Sequence, residues 1–397
     1  MQRSTSNAPD GGETDDRSAE IDRIFAAVLN GRPARWPPTL CETEMVGRAC
    51  QRVAFHGIAM QLVNAGCDQL GWPGELIEAI RVEARLQALW EATHRSPLGE
   101  VLDHFAAAGV RSLVLKGTAL AYSVWTSPAD RRRGDTDLFI SPKDVERARA
   151  ILDAAGWQVG RRFVFQEVWT RNTGDGFVHV IDLHWRVRDG FTEPGAIAFE
   201  ACFDRSVALP RLHPKARTTD LATTMLNCAL NHASHRVYGY GGAGSKADEH
   251  IHLGGMLDTD RLARHLDDAA WQQLLFLTEQ SGAVRAVTSA IELARTWFDS
   301  PVPAHVVAAL GAIADKQALG PDPWNDPARA GTISSFAAKV RAAVGWRAKR
   351  DIALTGLWPA ADALGIVPER SGGVRLLGAR LGRLARLAVR SLGGRAR

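Results

Sequence analysis

Apolar positions return every three or four residues over most of the first hundred. Ile21, Ile24, Phe25, Val28 and Leu29 form one set, and Leu76, Ile77, Ile80, Leu86 and Leu89 form another. That spacing lines one side of an α-helix. Pro33 and the Pro37-Pro38 pair separate the two sets. Leu98 to Ala108 carries the helical period on toward the next element.

The pattern then shortens to the lengths and composition of strands. Runs at 111–116, 135–140, 156–160, 163–171 and 177–187 predict strands, with helices over 118–126 and about 143–155 between them. Ser141-Pro142 suits a helix start and Gly156 its end. Arg171 to Gly176 has the composition of a hairpin turn. Helical spacing resumes after Pro214, over Leu221 to His235, Ser281 to about Leu319 and Ile333 to Thr355. The Gly-rich stretch 238–246 and the Pro-spaced stretch 320–327 read as loops.

Candidate chemistry sits on the strands. Side chains two apart on a strand share a face, so Asp135 and Asp137 stand side by side. Adjacent carboxylates are costly unless a positive charge lies between them, and a divalent cation is the usual answer. Asp182, between Ile181 and Leu183, has no neighbouring Lys or Arg and needs a partner elsewhere. If its strand pairs beside the Asp135/Asp137 strand, three carboxylates converge. His184 alternates with Asp182 and shares its face; a core histidine is the plain alternative. Arg131 stands in a run of three arginines, which also suits a solvated loop, and Lys116 can snorkel from a strand end.

Lys116-Gly117-Thr118, Pro128-x-x-Arg131, Asp135-Thr-Asp137-Leu and Asp182-Leu-His-Trp, in that order, resemble the uncharacterised nucleotidyltransferase family. That family is a branch of the polymerase-β-like nucleotidyltransferase superfamily. The resemblance implies that Asp135, Asp137 and Asp182 hold Mg²⁺ or Mn²⁺, with Asp182 as ligand or general base. It implies that Lys116, Gly117, Thr118 and Arg131 bind the triphosphate of an NTP such as ATP. It places His232 and Asp258 near the site, with His184, as acceptor or supporting residues. The implied reaction transfers NMP to a small-molecule, peptide or glycan acceptor and releases pyrophosphate; nucleic acid is not the expected acceptor.

The expected fold class is α+β. A small mixed-sheet nucleotidyltransferase core at 97–215 lies between helical regions at 19–96 and 216–355, with a disordered lead at 1–18 and a basic tail at 356–397. Three other readings remain open. An Asp-x-Asp glycosyltransferase would need a larger parallel sheet before the motif. A non-catalytic scaffold would use the same fold. A zinc cluster of His232, His235, His250, His252 and Asp258 would need ligands from both sides of a loop.

Composition changes the picture only at the ends. The net charge of +4 over 397 residues is concentrated in Val374 to Arg397, which has seven arginines and no acid. The body is then about −3, with no nucleic-acid footprint. Leu377, Leu381, Leu384, Ala388 and Leu392 share one helical face of that tail, a pattern suited to a membrane surface or a protein partner. The five scattered cysteines give no disulfide framework. The polar start and the absence of a long apolar run predict a cytoplasmic protein, with the tail able to hold it at a membrane periphery. The tryptophans in loop contexts, Trp36, Trp72 and Trp324, are expected to pin helices.

Overall fold

A computed structural model of the chain describes residues 11–162, 165–174, 176–187, 197–238 and 251–317, with 350, 377 and 380–382. Apart from Tyr238, the expected loop at 238–246, and the expectations for 320–327, His250, Trp324 and most of 333–397, lie outside the described residues.

The amphipathic sets fold as α1 (Gly11–Leu29), α2 (Thr43–His56), α3 (Ala59–Asn64) and α4 (Gly74–Ala107). The first helix starts at Gly11, inside the polar lead expected to be disordered. Tertiary contacts hold its described part. The Ser18 hydroxyl accepts from Arg48 at 3.1 Å, and Asp22 is buried against Arg52 and His56. Trp36 and Trp72 do pin helices. Their indole N–H groups donate to Leu40 and Ala34 carbonyls, and both rings pack on Phe25.

The sheet strands are β1 (Ser112–Leu115), β2 (Thr136–Ile140), β3 (Gln158–Arg162), β4 (Gln166–Asn172), β5 (Val178–His184), β6 (Val207–Ala208) and β7 (Arg217–Thr218). They are ordered β3-β4-β5-β2-β1-β7-β6. β2 runs antiparallel to β1 and parallel to β5, so the sheet is mixed. The first five strands follow the sequence expectation. β6 and β7 were not anticipated, being two residues each, too short to show a period. The helices α5 (Lys116–Ser123), α6 (Val145–Ala154) and α7 (Phe199–Asp204) pack around the sheet, and α8 (Leu221–Tyr238), α9 (Leu253–His265), α10 (Asp268–Ser281), α11 (Val284–Phe298) and α12 (Ala304–Gln317) follow it. No helix among the described residues is long and apolar enough to cross a membrane.

Alternation along the strands splits the interior in two. Leu113, Leu115 and Phe139 join a core shared with α1, α2 and α8 to α11. Val114, Leu138, Ile140, Ile181 and Leu183 face the other way, onto α6 and the second half of α4. α4 serves both cores. Leu76, Ile77, Ile80 and Ala84 enter the first, whereas Leu98, Val101, Leu102 and Phe105 enter the second. Pro97 lies within this 34-residue helix without ending it.

Candidate active site

The carboxylates gather where the central strands meet. Parallel pairing sets Asp137 of β2 beside Asp182 of β5, and Phe139 beside His184. Asp137, Asp182 and His184 therefore project from the same face. Their donor atoms lie within 4.8 Å of one another, the one such group found among the described residues. His184 Nε2 is 2.9 Å from Asp137 Oδ1 and 3.6 Å from Asp182 Oδ2. Asp182 Oδ2 also accepts from Gln166 Nε2 at 3.4 Å, while its buried Oδ1 has no hydrogen-bond partner. Asp135 lies one residue before β2, at the rim of the tight group and within its electrostatic reach. The zinc reading receives no support from the residues described. His252 instead caps α9, its Nδ1 accepting from the Gly255 N–H at 2.9 Å. His232 of α8 is buried, its ring near Gly255, one turn from Asp258.

β1 delivers the cations. The chain turns from β1 into α5 at Lys116, which holds a left-handed φ of 49°. A non-glycine residue there costs about 1–2 kcal/mol, held in place by the surrounding fold. Its Nζ lies 2.5 Å from Asp137 Oδ1. Gly117 follows, and its backbone is at the start of a helix, where anions are favoured. The Thr118 hydroxyl points elsewhere: it donates to the Asp135 carbonyl at 3.3 Å and meets Thr136 Oγ1 at 2.9 Å.

Charge at the site is uneven. Burial and the neighbouring Asp137 push the Asp135 carboxyl up to about 6, with Lys116 opposing. Burial would also raise Asp137, but the Lys116 charge and the His184 hydrogen bond hold it down to about 2. For His184, burial and the Lys116 charge disfavour protonation; hydrogen bonds to Asp137 and Asp182 overcome both and raise its pKa.

Arg131 is aimed by a loop that the helices grip. Gln61 Nε2 donates to the Asp130 carbonyl at 2.5 Å, Gln87 donates to the Ala129 carbonyl, and Arg133 donates to the Pro128 carbonyl at 3.1 Å. Arg131 then reaches Asp258 of α9, its Nε lying 2.8 Å from both carboxylate oxygens. The Trp125 indole donates to the same carboxylate at 3.0 Å.

One network was invisible in the sequence. His94 of α4 is buried, stacked on Trp90, with Nε2 at 2.8 Å from Thr136 Oγ1 and Nδ1 at 3.2 Å from His179 Nδ1. A carbonyl only accepts, so Thr118 donates to Asp135 and Thr136 donates to Thr118. His94 then donates from Nε2, and its bare Nδ1 accepts from His179. The relay ties α4 to the backbone between the two aspartates and requires a neutral His94. Burial, Arg133 and His179 keep it so, lowering its pKa to about 3. Unfolded His94 takes up a proton below about 6.5, so stability is lost as pH falls through that value. From pH 7 to 5 this residue should remove about 2 kcal/mol of unfolding free energy. Urea midpoints of wild type and His94→Phe at the two pH values test this; the variant should lose that much less on acidification.

The sequence model of the uncharacterised nucleotidyltransferase family matches residues 44–299. The chain belongs to this family. The matched span runs from α2 through α11, so it includes the helices that grip the Arg131 loop as well as the sheet. The protein is thus a nucleotidyltransferase of α+β fold, with the mixed sheet between helical layers. No curated protein matches it. Among solved structures, the solution structure of the antibiotic-resistance factor ANT(2'')-Ia is similar at 14% identity, covering 51% of this chain and 96% of that one, with a TM-score of 0.33.

Proposed function

We propose that this nucleotidyltransferase is metal-dependent. It moves NMP from an NTP to a hydroxyl, phosphate or carboxylate on a small-molecule, peptide or glycan acceptor. Asp137, Asp182 and His184 hold the divalent cation, Mg²⁺ or Mn²⁺, and Asp135 supports it from the rim. The observation that carries this is Asp182 Oδ1: a buried carboxylate oxygen with no donor, within a three-residue ligand group. Oxygen and imidazole donors suit Mn²⁺ as well as Mg²⁺. When bound, the cation neutralises charge on the phosphates and on the attacking and leaving oxygens.

The remaining work falls to the chain. The Gly117 backbone and Lys116 receive the triphosphate, and Arg131, fixed by Asp258, supplies a planar cation beside it. Thr118 serves from behind, fastening α5 to the Asp135 carbonyl. The acceptor oxygen forms a bond to the α-phosphorus, the bond from that phosphorus to the bridging oxygen breaks, and pyrophosphate leaves. Where the acceptor is a hydroxyl, Asp182 is the residue we assign to take its proton. His232 and Asp258 are assigned to the acceptor side as supporting residues. Among the described residues only β1 precedes the Asp-x-Asp strand, which speaks against the glycosyltransferase reading.

Thermal unfolding with each NTP, with and without Mg²⁺, tests the donor half. A ligand at about 100 times its dissociation constant should add about 2.7 kcal/mol. A Mg²⁺-dependent rise for at least one NTP is the expected result. Absence of any rise with all of them would defeat the proposal and favour a scaffold.

A further inference from the structure

We propose that the Lys116 ammonium is a displaceable stand-in for the divalent cation, so that metal enters only when a triphosphate draws the lysine away. The inference rests on the metal–nucleotide reading of this site and adds an order of events to it.

The ammonium lies on a ligand atom. Asp137 Oδ1 is 2.5 Å from Lys116 Nζ and 2.9 Å from His184 Nε2, so the oxygen that would face a cation already has one. Asp135 and Asp182 also act on the lysine charge. Lys116 and His184 both meet Asp137 Oδ1, so compensation is concentrated on one carboxylate, and Asp182 Oδ1 shows the remainder: it is buried and receives no hydrogen bond. The stand-in therefore satisfies one carboxylate and leaves another facing the gap.

The lysine can also leave. Its side chain is 30% exposed, whereas that of Asp137 is 6% exposed, so motion belongs to the cation and not to the carboxylate. Its stem is long and flexible, unlike the fixed fork of an arginine. Lys116 opens α5 and Gly117 follows it in the first turn, where a triphosphate would be met. An ammonium at Asp137 repels an arriving dication; an ammonium shifted to the triphosphate does not. Metal and nucleotide are then coupled, each raising the affinity for the other.

The test uses Mn²⁺ binding to the full chain, followed by paramagnetic resonance, with and without the α,β-methylene analogue of each common NTP. In the wild type, the Mn²⁺ dissociation constant should fall by about tenfold or more when a binding analogue is present. Lys116→Gly removes the ammonium and suits the left-handed backbone, and Lys116→Asn provides a second variant that tolerates it. Both should bind Mn²⁺ alone about tenfold more tightly than wild type, with little further gain from the analogue. Lys116→Arg, retaining a cation, should stay weak. Folded variants that bind Mn²⁺ no better than wild type would overturn the stand-in role. So would a wild type whose Mn²⁺ affinity ignores a bound analogue, a result that needs no variant. A wild type that binds neither Mn²⁺ nor any analogue would instead defeat the metal–nucleotide reading itself, and this inference with it.

Discussion

Asp137→Asn should leave a folded protein whose turnover is lower by about 10³-fold or more, as expected when a group stabilising transition-state charge is lost from a closed site. Asp137 meets a candidate ligand and a cation on one oxygen: His184 at 2.9 Å and Lys116 at 2.5 Å both approach its Oδ1. The amide keeps the shape but loses the charge, so Lys116 faces only Asp135 and Asp182. Pyrophosphate release, with the NTP selected by thermal unfolding, gives the rate, and circular dichroism gives the fold. Asp135→Asn should be milder in turnover, because Asp135 lies on the rim outside the tight group. Equal and small losses in the two variants would show that neither carboxylate serves the reaction.

Asp22→Ala should destabilise the protein by about 3–5 kcal/mol, the usual consequence of stranding a buried cation. Asp22 is 2% exposed in its side chain and Arg52 12%. Arg52 Nε donates to Asp22 Oδ1 at 2.5 Å, and His56 Nε2 meets that oxygen at 2.8 Å. The Leu253 N–H donates to His56 Nδ1 at 3.2 Å, which fixes the proton on Nε2 and extends the lock from α1 through α2 to α9. Against a total of about 5–15 kcal/mol, such a loss approaches unfolding. Denaturant titration measures it. The double variant Asp22→Ala/Arg52→Met should recover part of the loss, because an absent pair costs less than a broken one. A loss near zero in the single variant would mean that water already reaches Arg52.

The strands bearing the candidate site were legible because their chemistry follows a period of two. Asp182 and His184 share a face by spacing alone, and the pairing of β2 with β5, supplied by the fold, brings Asp137 onto it. His184 shows how far spacing reaches: it marks the residue as a neighbour of Asp182, while its contact with Asp137 comes from the adjoining strand. The left-handed turn at Lys116 left no trace, since lysine is not a residue that announces such a backbone. His94, Gln61 and Gln87 were equally silent. Each sits in a helix with ordinary periodicity and acts through contacts 42 to 85 residues away. One helix runs through residue 96, where the sequence reading drew a boundary, and buries apolar residues on both sides of Pro97.

That helix has a consequence for how the protein can be taken apart. With four of its apolar residues in one interior and four in the other, α4 behaves as a shared axle. Cutting the chain there would open both interiors at once and strip the Arg131 loop of Gln87. The sheet is therefore not a portable module that could be excised at its first strand or grafted elsewhere. A fragment made in that way would lack the helix against which the strand bearing its candidate site is fastened.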